Sequence, residues 1–410
     1  MLSRFPFLPG GMALIISACA MPQPGLRRSQ PMEHTLLRGD QLDTARQILE
    51  ERDINLLTAF GNLATLENRS FSVQLASVLE APVIDGTSLR IIRILQQHNF
   101  LVVAYASADR SARGALVIVD LSDAENPTLR AELQLPTVDV QALAIDGRVV
   151  YFSGFSSEPS GPVVGSISMQ NFEWQDDLKL QVLDLKSASA LAVLDDQVVV
   201  LDRESAQLVT LQKNEFLTKA QMPGSGLSQL GQDASLLWSI SHEPMQIQQW
   251  DVELRPKSMI PTNFEMKSSA YAGQMKFGRE TMMASLGDGG VRAYCKANQK
   301  ALFNIPAVIR ADLTAERSQS LDAALSRGLL LTANADAGVY LYQVSTKDKQ
   351  GVCKERELRF EGYLDLGKNF RAESLSWKDG ILSVGDSEGR LNMFYIDSDT
   401  LENDDIDFDG

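Results

Sequence analysis

A four-strand unit recurs along this chain. First strands begin near residues 89, 140, 188, 229, 270, 320 and 371, at spacings of 51, 48, 41, 41, 50 and 51. Each unit starts with a short alternating strand, then a polar turn, then a fully apolar strand. Asp146-Gly147, Asp195-Asp196, Ser326-Arg327-Gly328 and Lys378-Asp379-Gly380 are such turns. A pair like Asp-Gly between apolar runs marks a tight hairpin, because both positions tolerate the left-handed backbone that such a turn demands. A third strand opens at Gly in Gly114–Asp120, Gly290–Tyr294, Gly338–Tyr342 and Gly389–Phe394. A fourth closes at Pro or Gly in Leu129–Pro136, Leu217–Pro223, Ala301–Pro306 and Leu358–Gly367.

Four strands per unit of this length indicate radial repetition of small antiparallel sheets, an all-β β-propeller. A sandwich does not repeat so evenly, and a helical solenoid shows period 3.6 instead of period 2. Seven starts give seven four-stranded blades; the fourth and fifth units match least well, which leaves six or eight open. The last unit lacks a fourth strand. Residues 71–79 alternate and have no other partner, so they are expected to close the last blade and to cover two sheet edges. The propeller then spans residues 67–396. Residues 40–66 differ: Leu42, Ala45, Ile48 and Leu49 stand at helical spacing and Leu56, Leu57 and Phe60 extend the pattern, which predicts a short N-terminal helical segment. It either packs on the propeller or hangs in the tether.

The first 18 residues have the plan of an export signal: Arg4, an apolar stretch from Phe5 to Ile16, then Ser17 and Ala18 before Cys19. The apolar stretch falls short of the ~20 residues a membrane span needs. Ile16-Ser17-Ala18-Cys19 resembles the bacterial lipobox. That resemblance implies cleavage before Cys19, attachment of diacylglycerol to its thiol and of an acyl chain such as palmitate to its new amine. The partner is then the membrane, reached through lipid on Cys19, and the location is the bacterial cell envelope. Ala20 in place of Asp leans towards the outer membrane, periplasmic side or surface, in a Gram-negative cell. Residues 19–39, with Pro22, Pro24, Gly25, Pro31 and Gly39, read as the lipidated tether.

Leu116-Val-Ile-Val-Asp120, followed by Ser122, Asp123, Asn126 and Pro127, is similar to the LVIVD repeat of bacterial and archaeal cell-surface propellers. The likeness covers this segment closely, and Val339–Val344 echoes it in part. It implies a strand buried on both faces and a structural turn, and it carries no catalytic set. At the level of fold alone, the plan is also similar to the anchored propeller lipoprotein of outer-membrane assembly machinery.

Composition narrows the chemistry. A net charge of −15 argues against nucleic acid as a partner. Seven acids with no Lys or Arg fill residues 397–410, an acidic tail. Asp405-Ile-Asp407-Phe-Asp409-Gly410 matches the opening of a calcium loop, but the later ligands do not follow, so solvated acid is expected there. His34, His98 and His242 lack partners at metal-ligand spacing, so no metal or cofactor is indicated. With Cys19 lipidated, Cys295 and Cys353 remain, either disulfide-bonded through adjacent blades or separate thiols.

First-strand positions read mostly small or neutral, through Ala142, Ala144, Ala188, Ala190, Gln229, Ala323 and Ala324, with Glu373 the exception. No Ser-His-Asp grouping or phosphate loop is visible, so no catalytic residue is assigned. Gly287-Asp288-Gly289-Gly290 reads as a blade turn. Residues 105–113 and 153–166 read as long loops suited to binding. Trp174, Trp238, Trp250 and Trp377 read as packing between blades. The expected function is a non-catalytic, lipid-anchored scaffold that binds a protein or envelope component. The alternative is a hydrolase or lyase acting on a small molecule or polysaccharide in the channel, which three or more converging carboxylate, His or Arg side chains would favour.

Overall fold

The computed structural model describes residues 32–38, 47–48, 55–57 and 72–397, apart from short internal stretches of which 263–272, 347–352 and 366–369 are the longest. Seven antiparallel sheets form a β-propeller, with strands ordered outward in chain sequence except where N-terminal strands are added to the outer edges of blades 1, 6 and 7. The first strands are Thr87–Gln97, Val138–Asp146, Ala190–Leu194, Leu227–Asp233, Gln274–Phe277, Asp322–Ser326 and Ala372–Lys378, in blades 1 to 7. Each starts within a few residues of the position read from the repeat.

The hydrophobic core is divided among the blade interfaces. Seven apolar clusters form, one in each wedge between neighbouring blades. The third strand of blade 1, Gly114–Asp120, shows how period 2 produces this. Leu116 and Ile118 enter the wedge towards blade 2, while Ala115, Val117 and Val119 enter the wedge towards blade 7. Beyond it, Asp120 accepts from the Ser122 amide at 2.9 Å and Asp123 accepts from the Glu125 amide at 3.1 Å. Trp174, Trp238 and Trp377 are buried in three of the wedges.

Glycine serves the turns into the third strands where its freedom is needed. Gly338 and Gly389 have φ of 85° and 81°, and an added Cβ would lie 2.6 Å from the Leu364 carbonyl and 1.9 Å from the Leu89 carbonyl. The same turn in blade 7 is fixed by Asp386, fully buried, which accepts from the amides of Glu388 and Arg390 at 3.0 and 2.8 Å.

Blade 7 is built from both ends of the chain. Ser72–Leu79 pairs with Leu391–Asp397 in the register Leu79↔Leu391 to Ser72↔Asp397. A bulge at Ala76 identifies this strand as a true fourth strand. Fourth strands in blades 1, 3, 4, 5 and 6 carry one too, at Arg130, Lys219, Lys257, Leu302 and Glu361. Such bulges bend the outer strand and increase its twist.

Two expectations for the N-terminal region are corrected where residues are described. Within 40–66 these are strands, Gln47–Ile48 and Asn55–Leu57, instead of helix, and the rest of that segment lies outside the described residues. A short apolar run carries no decisive period, and here open sheet edges take it up. The tether, read as running to residue 39, also ends earlier, because Thr35–Arg38 pairs with Thr128–Leu135 of blade 1. Gln47–Ile48 pairs with the outer strand of blade 7, and Asn55–Leu57 with Arg356–Asp365 of blade 6. These three short strands therefore form a belt across the outer edges of blades 1, 7 and 6, spanning the point where the ring closes. Residues 1–31, including Cys19, and the tail 398–410 lie outside the described residues.

Candidate binding site in the central channel

The inner edge of each first strand faces the channel and, apart from the pairing of Val83–Ile84 with Thr87 and Ser88 at the start of blade 1, has no neighbouring strand. Its backbone groups still need partners, since a buried orphan amide or carbonyl is costly. Polar side chains of other blades supply them. The Val193 amide donates to Gln232 Oε1 at 2.6 Å, and the Lys378 carbonyl accepts from Gln96 Nε2 at 3.4 Å. The Ile94 amide donates to Ser374 Oγ at 3.3 Å, and Ser374 donates onward to Asp322 Oδ2 at 3.2 Å.

Asp322 is the centre of this network and is 1% exposed. Oδ2 also accepts from the Leu375 amide at 2.9 Å, while Oδ1 accepts from the Ala323 amide at 2.8 Å and faces Lys276 Nζ at 3.1 Å. Lys276 Nζ further donates to the Leu375 carbonyl at 2.5 Å. One ion pair thus joins blades 5, 6 and 7. Burial pushes the Lys276 ammonium below its ordinary range; Asp322 opposes that shift and Arg93 adds to it.

A bulge recurs where these residues stand. In blades 1, 2, 4 and 7 the first strand shifts register across Ile91/Arg93, Val140/Ala142, Leu227/Gln229 and Ala372/Ser374. Each bulge lies the same distance before the hairpin. Counting back from the hairpin, Arg93, Asp322 and Ser374 fall at one equivalent level, and Gln96, Gln232 and Lys276 at another.

Towards the hairpin turns the channel widens into a cavity of about 310 Å³. All seven blades contribute, through Arg93, Ile145, Ala192, Gln232, Lys276, Leu325 and Lys378 among others. Arg93, Lys276 and Lys378 are its cations. Asp233 is the carboxylate in the described lining, and it is paired with Lys296 at 2.7 Å.

The reading of the channel as small and neutral is therefore half right. Ala144 and Ala324 do line the cavity. Glu373 does not; it sits at the blade 7 bulge and pairs with Arg371 at 3.1 Å. Arg93, Lys276, Asp322 and Lys378 were missed, although a charged residue inside an otherwise apolar first strand is a legible signal. Neither carboxylate is poised as a catalytic base, since Asp322 is saturated by four donors and Asp233 holds Lys296. Among the described residues no group of three or more His, Cys, Asp or Glu is placed to hold a metal ion.

Cys295 and Cys353 are bonded, with Cα atoms 5.5 Å apart across 58 residues of sequence. The bond fastens the end of a third strand in blade 5 to the segment between the third and fourth strands of blade 6. The loop expected at 153–166 is instead a long hairpin, in which Val149–Ser157 and Ser160–Gln170 stay paired out to Ser157↔Ser160. The other expected loop is shorter than read, since strands end at Ser107 and resume at Gly114.

No protein-family model matches the chain, and no curated protein matches it. Among solved structures, the computationally designed Ika8 protein matches with 12% identity and a TM-score of 0.43, over 77% of this chain and 99% of that one.

Proposed function

We propose that this protein is a lipid-anchored propeller of the bacterial cell envelope that acts as a non-catalytic scaffold for a protein or envelope component. The observation that carries the scaffold reading over a channel enzyme is the state of Asp322. Its oxygens are consumed in holding blades 5, 6 and 7 together, so the most buried channel carboxylate is a structural part. Anchoring is supported by the lipobox-like Ile16–Cys19, and the LVIVD-like strand Leu116–Asp120 fits a cell-surface propeller. Ala20 favours the outer membrane.

The belt refines the geometry of anchoring. If Cys19 carries lipid, 13 residue steps lead from it to Met32, where the chain meets blade 1. Fully extended they span about 45 Å, at roughly 3.5 Å per residue. The partner then lies close to the membrane surface.

Photo-crosslinking amino acids at Asp195 and Asp379 on the hairpin-turn face, and at Met259 on an outer edge, test the reading in cells. A discrete adduct from one face, diminished by Cys19→Ser, is the expected result. No adduct from any position, together with turnover of a small molecule or polysaccharide that is lost on altering the channel residues, would overturn it in favour of an enzyme.

A further inference from the structure

The cationic cavity is unusual for this chain. The protein as a whole carries a net charge of −15, yet its channel mouth gathers Arg93, Lys276 and Lys378 from blades 1, 5 and 7. Asp322 lies outside the lining and pairs with Lys276 from behind, while Asp233 is held by Lys296, which lies outside the lining. A low-dielectric concavity lined by cations concentrates anions, because field lines focus there. The neutral lining is already organised: Ser376 donates to Gln96 Oε1 at 3.0 Å, and Gln96 and Gln232 hold the backbone of Lys378 and Val193. Gln97 Oε1 is buried there without a donor among the described residues, and it would accept from a ligand hydroxyl. The volume of about 310 Å³ fits one small molecule.

We propose that the channel mouth binds a small hydroxylated organic oxyanion, a carboxylate or a phosphate ester, between Arg93, Lys276 and Lys378. Arg93 brings a delocalised guanidinium charge to the lining, while the lysines act as point charges. Lys276 is fixed by Asp322 and the Leu375 carbonyl before any ligand arrives, so its ordering cost is already met by the fold. This goes beyond the scaffold reading and stands whether or not Cys19 carries lipid.

Calorimetric titration of the purified full chain tests it, with citrate, gluconate, glycerol 3-phosphate and inorganic phosphate as probes and glycerol as the uncharged control. Saturable binding of at least one organic anion and none of glycerol is expected, and the carboxylate and phosphate arms separate the two sources. Arg93→Gln and Lys378→Gln, each checked for an unchanged melting curve, should weaken binding at least about tenfold. Should either variant fold poorly, protection of Lys378 in the unaltered protein from amine-reactive labelling, read by mass spectrometry, serves instead. No binding of any probe at millimolar concentration would overturn the proposal. So would binding that both variants retain in full, or labelling of Lys378 that ligand leaves unchanged.

Discussion

Lys276 of blade 5 faces Asp322 of blade 6 at 3.1 Å inside the channel, and both also bind Leu375 of blade 7. A buried pair of this kind is worth little against an apolar replacement of both partners, but removing one partner strands the other charge. Lys276→Met is therefore expected to destabilise the protein by about 3–5 kcal/mol. The double variant Lys276→Met/Asp322→Asn should recover part of that loss. Urea denaturation of the four proteins gives the coupling, and strict additivity would show that the pair does not act as a unit.

The ring is closed by Ser72–Leu79, whose loss opens two wedges of core at once. A chain beginning at residue 67 should keep one cooperative melt at lower temperature, having lost only the edge belt. A chain beginning at residue 81 should lose cooperative folding altogether. Circular dichroism melts separate the two outcomes, and a merely local effect of the longer deletion would contradict closure.

Asp139, on the first strand of blade 2, has its carboxyl pushed up to about 6 by burial, against the opposing effects of Gln141 and Arg90. The folded value lies above the unfolded one, about 3.9. Protonation thus favours the fold: the contribution is full below about pH 4 and is lost as pH rises through about 6. Asp139→Asn should stabilise the protein at pH 7 by about 1–2 kcal/mol, after allowance for partial exposure, and leave it unchanged near pH 4. Denaturation midpoints at the two pH values check the sign.

The Cys295–Cys353 bond closes a loop of 58 residues. Constraint of the unfolded chain on that scale is worth about 4 kcal/mol in the loop-entropy account. Cys295→Ser/Cys353→Ser should lower stability by up to that amount and make the melt insensitive to reductant. The unaltered protein should respond to reductant, which mass analysis under both conditions verifies directly.

Much of the fold is legible in the sequence because each blade repeats the same local problem. Asp146-Gly147 and Asp379-Gly380 declare hairpins, and the apolar second strands need burial on both faces, which the neighbouring blades of a radial array supply. The closing strand is legible because residues 71–79 alternate without a local partner. The belt is not, since Gln47–Ile48 and Asn55–Leu57 are too short for period 2 to outweigh the helical spacing of Leu42, Ala45, Ile48 and Leu49. The channel is half legible. Small residues announce the axis, but the reason for Lys276 and Asp322 appears only when the inner strand edges are seen to lack partners.

Cys19 is the residue on which the proposed location depends. The most direct measurement is metabolic labelling with a clickable palmitate analogue in a Gram-negative host, comparing the natural chain with Cys19→Ser. The account predicts label on the natural chain alone, on a mature protein shortened by 18 residues and recovered with the membrane fraction. An unlabelled natural chain of precursor mass, or one recovered in the soluble fraction, would contradict it.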